Sequence, residues 1–149
     1  MSDNYLRYVP SDPRFQPTRD AAAAAEALLR SLLPQARTVA SIFYEQVEFV
    51  DAGANWSGVH CPECGADTED WWRDAMSEAW KSHFAALAAH APCCGATVSL
   101  NELKYVWPVA FGRFVLEAAN PFSKGLSAPQ LEELGAVLGS PVREIPVHL

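Results

Sequence analysis

"VHCPECGAD" (Val59–Asp67) places two cysteines three residues apart, with proline between them and glycine directly after the second. C-x2-C-G is the pattern of a zinc knuckle: a tight turn brings two thiolates to one ion, backbone amides point at the sulfurs, and glycine accepts the backbone angles of the turn. The other two cysteines fall in "APCCGAT" (Ala91–Thr97), again just ahead of a glycine. One such cluster is a weak signal; two are a strong one. Cys61, Cys64, Cys93 and Cys94 are therefore read as the ligands of one structural Zn2+. The second cluster is irregular, because its cysteines are adjacent where a standard knuckle puts the first partner at Ala91. Either both splay to reach the ion, or a histidine takes the fourth place; His90 is the leading substitute and His60 lies beside the first knuckle. A redox pair needs its first cysteine at a helix N-terminus in a thioredoxin-type context, and this stretch has neither.

The knuckle reading decides the fold by marking residues 56–107 as a metal-binding segment. Within it, Asp67 or Thr68 caps a helix whose Trp72, Met76, Ala79, Trp80, His83, Phe84 and Leu87 recur at helical steps, with Trp71 off that stripe. Ser99 and Glu102 make a capping box for a short helix through "LNELKY".

Outside the segment, "NYLRYVP" reads as a strand ended by Pro10. Thr18 caps a helix with Ala25, Leu28, Leu29 and Leu32 on one face, stopped by Pro34. Within "TVASIFYEQVEFVDAG" a second strand is expected over Glu45–Asp51. "VAFGRFVLEAAN" alternates, with Gly112, Phe114, Leu116 and Ala118 facing one way and Phe111, Arg113, Val115 and Glu117 the other. Ser127 and Gln130 open a further helix with Leu131, Leu134, Val137 and Leu138 as its stripe and Gly139 as its stop. "VREIPVHL" is a last strand that Pro146 assigns to an edge. The order is βαββαβ. The expectation is an α+β fold, a ferredoxin-like plait with both helices on one face and a zinc-binding helical insertion between strands 2 and 3. Residues 1–149 are then one domain that contains the insertion at 56–107.

A chain of 149 residues, 50% hydrophobic and 19% charged, has the composition of a folded domain. Its net charge of −7 repels phosphate backbones and makes nucleic acid an unfavoured partner, while it suits a basic protein surface. No basic leader precedes an apolar run at the N-terminus, and no window approaches the roughly 20 apolar residues of a membrane span. The expected location is the cytoplasm, where clustered cysteines serve metals rather than disulfides.

No phosphate loop, H-E-x-x-H or G-x-S-x-G is present. Four thiolates close the coordination sphere of zinc and leave no position for a catalytic water. The leading expectation is a non-enzymatic protein-interaction or regulatory module. A second reading is an enzyme or sensor with a small-molecule pocket between sheet and insertion, formed by Asp51, Asn55, His60 and Arg113. Arg113 is included because an arginine on an aromatic strand face is either paired or open to an anion; Asp51 and Asn55 are equally what a tight turn wants. A third reading is a nucleic-acid-binding zinc ribbon.

"CPECG", "PCCG", "SLNELKYVWPVAFGRF" and "PVREIPVHL" together resemble a family of small uncharacterised bacterial proteins with zinc-ribbon-like CPxCG and PCCG motifs. The resemblance implies a bacterial cytoplasmic protein that holds zinc through Cys61, Cys64, Cys93 and Cys94, and implies no reaction.

Overall fold

The structure is a computed structural model describing residues 3–149. β1 (Asn4–Pro10) leads into α1 (Arg19–Leu32), where the Thr18 hydroxyl accepts from the Ala21 N–H at 3.1 Å, a side-chain cap at the expected place. β2 (Thr38–Val50) follows. The cysteine segment contributes β3 (Val59–His60), α2 (Glu69–Trp80), β4 (Ala88–His90), β5 (Thr97–Ser99), a single 3-10 turn at Leu100–Glu102, and β6 (Lys104–Tyr105). β7 (Ala110–Ala119), α3 (Ala128–Leu138) and β8 (Val142–His148) complete the chain.

Four strands form one sheet in the order β2-β7-β1-β8, and every pairing in it is antiparallel. β8 is an edge strand, as Pro146 requires. Leu6 and Tyr8 of β1 and Phe114, Leu116 and Ala118 of β7 join Ala22, Ala25 and Leu29 of α1 and Leu134 and Leu138 of α3 in the main apolar core. Val9, Val50, Val115, Ile145 and Val147 make a second cluster. A third lies in the cysteine segment around Val59, Cys61, Phe84 and Leu100, and is roofed by Phe111 of β7 and Val47 of β2.

Several boundaries differ from expectation. β2 begins seven residues before Glu45, since β-branched and aromatic residues recur from Thr38 onward, and its register with β7 shifts between Phe43 and Glu48. The alternation in β7 breaks at the same level. A Cβ on Gly112 would lie 2.6 Å from Val9 Cγ1, a member of the second cluster, so Gly112 does not share the face of Phe114. α2 stops at Trp80, short of His83, Phe84 and Leu87; His83 and Phe84 adopt φ of 51° and 60°, which turns Phe84 under the segment as a buried side chain. The Ser99 helix is one turn long, and Glu102 binds Arg143 instead of closing a capping box.

The cysteine segment is fastened to the sheet by polar contacts absent from the sequence reading. Arg143 of β8 donates to the Asn101 carbonyl at 2.7 Å and to Glu102 at 2.8 Å, and the Asn101 side chain, 4% exposed, bonds Ser11 and the Phe111 amide. Asn55 and Trp107, at the two ends of the segment, both donate to the Pro146 carbonyl, at 3.4 and 2.8 Å. The chain leaves and rejoins the sheet at one point.

Candidate metal centre

Cys61 directly follows the short strand β3, and its N–H donates to the Ala66 carbonyl at 2.8 Å while the Gly65 N–H donates to the Cys61 carbonyl at 2.9 Å. The second cluster repeats this turn: the Ala91 N–H bonds Ala96 and the Gly95 N–H bonds Ala91, each at 2.8 Å. Gly65 and Gly95 both sit at φ +77°, in the left-handed region that glycine enters without cost. Ala91 thus holds the backbone place of Cys61, and Cys94 the place of Cys64. The missing first thiol of the second turn is supplied from its third position, by Cys93.

The sequence carries this equivalence. His60, Pro62, Cys64, Gly65 and Ala66 recur thirty residues later as His90, Pro92, Cys94, Gly95 and Ala96. Reading H-x-P-x-C-G-A as a repeat would have identified two copies of one turn.

The two turns face each other. Cys61 Sγ lies 3.8 Å from Cys94 Sγ and Cys64 Sγ lies 3.4 Å from Cys93 Sγ, and all four sulfurs fall within 4.8 Å of one another. Four sulfurs at these separations suit one metal ion. The grouping comprises the four cysteines; His60 and His90 are not in it. Cys61 is buried and the other three are exposed, so the centre has an apolar inner side and an open outer one.

The electrostatics favour a thiolate at Cys61 and oppose one at Cys93 and Cys94. The Cys61 thiol is lowered to about 7, chiefly because the Cys64 amide, and then the Glu63 amide, point at its sulfur. The Cys93 thiol is pushed up to about 12, first by loss of hydration around the sulfur, although the residue as a whole is exposed, and then by the Cys64 and Cys61 sulfurs. The Ala96 amide favours a Cys94 thiolate, but loss of hydration and the same sulfurs outweigh it and raise that thiol too. A bound cation removes this opposition.

The four residues expected to share a pocket are dispersed. The Asp51 carboxylate accepts from the Gly53 N–H at 3.1 Å in a local turn. Asn55 lines a cavity with Trp107 and Phe122. His60 pairs with Lys104 in the β3–β6 ladder. Arg113 lines a different cavity, beside Gln16 and Phe43. Trp71 is half-buried in the segment core, its indole Nε1 sealed without a hydrogen-bond partner.

A cleft of about 620 Å3 runs along α2 and β4, lined by Trp71, Asp74, Glu78, Ala86, Ala88 and His90 among others. The bonds from Leu100 N–H to Leu87 O and from Ala91 N–H to Ala96 O, both 2.8 Å, bracket the β4–β5 ladder. Alternation along an antiparallel pair then turns the N–H and C=O groups of Ala88 and His90 away from β5, toward the side lined by the cleft. Asp70, Asp74 and Glu78, spaced by four, stand exposed along α2. Among the described residues no helix is long and apolar enough to cross a membrane. Comparison of the chain with protein-family models, curated proteins and solved structures returned no match.

Proposed function

We propose that the protein is a zinc-stabilised, non-enzymatic recognition module of the bacterial cytoplasm that takes an extended basic segment of a partner protein into the cleft between α2 and β4. The observation that carries this reading is the coincidence of a free strand edge, Ala88–His90, with a cleft walled by Asp74 and by Glu78, the latter paired with Lys81 of the same wall at 2.7 Å. An extended chain added to that edge gains main-chain hydrogen bonds, and its cationic side chains meet the acidic helix.

Zinc fits the donor set: tetrahedral bonds of about 2.3 Å put sulfurs about 3.8 Å apart, close to the separations found here, and four thiolates leave the ion no open position. The strand order β2-β7-β1-β8 is that of a ferredoxin-like plait made of two split β-α-β units, and the meeting of Asn55 and Trp107 on Pro146 supports residues 56–107 as an insertion into it. Zinc ties the two turns of that insertion together.

Two measurements test the reading. Cys93→Ala is expected to abolish stoichiometric zinc in the purified protein, and Ala91→Cys in the same chain is expected to restore it by regularising the second turn; zinc content unaffected by Cys93→Ala would remove the site. A fluorescein-labelled peptide of alternating lysine and valine is expected to bind the zinc-loaded protein saturably and to lose affinity at least tenfold with Asp74→Lys/Glu78→Lys, which reverses two charges beside the edge. Absence of saturable binding ends the cleft reading and leaves the zinc reading standing.

A further inference from the structure

A second cavity, of about 520 Å3, lies on the other side of the register shift in β2, lined by Gln16, Pro17, Thr18, Arg19, Phe43, Tyr44, Glu45 and Arg113. Its construction begins with the shift itself. Where β2 leaves β7, the Tyr44 and Arg113 carbonyls lose ladder partners, and the Gln16 side chain replaces them by donating to both, at 3.0 and 2.9 Å. The plug fixes the loop before α1 against the sheet. It also sets Arg113 at the cavity wall.

Arg113 has no account in the fold. Its Nε is sealed from solvent and has no hydrogen-bond partner, and among the described residues no ion pair includes its guanidinium. An uncompensated buried donor on a charged group costs stability, and such a group calls for a ligand, an ion or a role. Arg19 supplies a second cation on the same wall. Its guanidinium stacks 4.0 Å over the Phe43 ring, which leaves its N–H edge free to receive an acceptor. α1 also starts here, with Thr18 and Arg19 in the lining, and Thr18 accepts from the Ala21 and Ala22 amides. The one acidic lining residue, Glu45, is exposed to solvent. Pro17 and Phe43 provide apolar wall.

We propose that this cavity binds a small organic molecule through a carboxylate or phosphate group, with Arg113 as the anchoring cation and Arg19 as the second. The volume falls in the range of small-molecule sites, and guanidinium pairs recognise planar or tetrahedral oxyanions through paired N–H groups. This site is independent of the peptide cleft and of the metal.

Thermal unfolding of the zinc-loaded protein tests it, in about 10 mM benzoate or phenyl phosphate against chloride of equal ionic strength. At least one anion is expected to raise the midpoint by about 2–4 °C over chloride, and the stronger of the two identifies the headgroup. Arg113→Met is expected to abolish the shift while leaving the anion-free midpoint unchanged or higher, because the sealed, unpartnered Nε donor has been removed. Arg19→Gln, at an exposed position that does not endanger folding, is expected to weaken the response several-fold and decides the matter if Arg113→Met does not fold. A shift that survives Arg113→Met, an equal response to chloride, or a destabilised Arg113→Met with an unchanged anion response each overturns the proposal, the last by identifying a structural arginine.

Discussion

Gly65 and Gly95 share φ +77° and have open space where a Cβ would stand, so alanine at either costs only backbone strain, about 1–2 kcal/mol. Gly53, at φ +61°, differs: a Cβ there would lie 2.5 Å from the His148 carbonyl oxygen, and backbone must move. Urea midpoints of the metal-loaded variants are expected to rank Gly53→Ala as clearly more destabilising than Gly65→Ala and Gly95→Ala, with those two alike; a marked inequality between the two turn variants would break their equivalence. Tyrosines set the alkaline limit. Burial, then Glu144, raises the Tyr8 phenol above its ordinary range, and burial pushes Tyr105 up to about 12. Folding therefore favours the neutral phenols. Their contribution is complete below the unfolded value of about 10 and drains away above it, for Tyr105 as pH rises toward 12. Unfolding midpoints are expected to fall from about pH 10 upward, and less steeply in Tyr105→Phe. The cysteines were legible at this scale because their residue type and spacing carry the chemistry. The Arg143–Asn101 and Gln16 contacts were not, because each joins residues far apart in the chain.

Local chemistry wrote the starts of α1 and α3, whereas Thr68 at the start of α2 makes no side-chain cap and its hydroxyl donates to the Val59 carbonyl. Ser127 accepts from the Gln130 amide at 3.3 Å and Gln130 returns to the Ser127 N–H at 2.9 Å, with Gly139 closing α3 at φ +96°. Ser127→Ala is expected to cost about 1 kcal/mol in chemical denaturation, with the native circular dichroism retained. β2 was half legible. Its β-branched residues announced a strand, yet the register shift between Phe43 and Glu48 depends on Gln16 filling the broken ladder. Gln16→Leu removes both bonds and leaves two carbonyls unpartnered, so a loss of about 1–3 kcal/mol is expected, against a near-neutral result if the shift is set by β2 alone. α2 stops at Trp80, seven residues short of the Leu87 end of its apolar stripe, because His83 and Phe84 leave the helix to bury Phe84 against Phe111, at 5.2 Å between rings. Periodicity cannot reveal a side chain that turns back on its own helix.

Across the whole molecule the apolar residues divide into a core between sheet and helices, a cluster at Val9 and Ile145, and one in the cysteine segment. The last surrounds Cys61 and is built largely on aromatic rings, Phe84 and Phe111 with Trp56 and Trp72 packed nearby, whereas the first is built on Leu29, Phe114, Leu116 and Leu134. A structural metal such as zinc contributes on the order of 10 kcal/mol in isolated zinc peptides, and an ion on the four cysteines would join the two turns that flank this core. Chelation is therefore expected to strip amide-exchange protection from residues 59–105 while β1, β7 and α1 keep theirs, and uniform loss throughout would show instead that the metal holds the entire fold. The sequence by itself determined the α+β class, the places of α1 and α3, the edge position of the last strand and the identity of the sulfur cluster, since each follows from capping groups, periodicity, a missing N–H or ligand chemistry within a few residues. Only the tertiary structure decided that Cys93 and not His90 completes the sulfur cluster, that Asn55 and Arg113 line separate cavities, and that β4 shows a bare edge beside α2. Those facts depend on which surfaces meet when distant segments pack, and spacing along the chain holds no record of that.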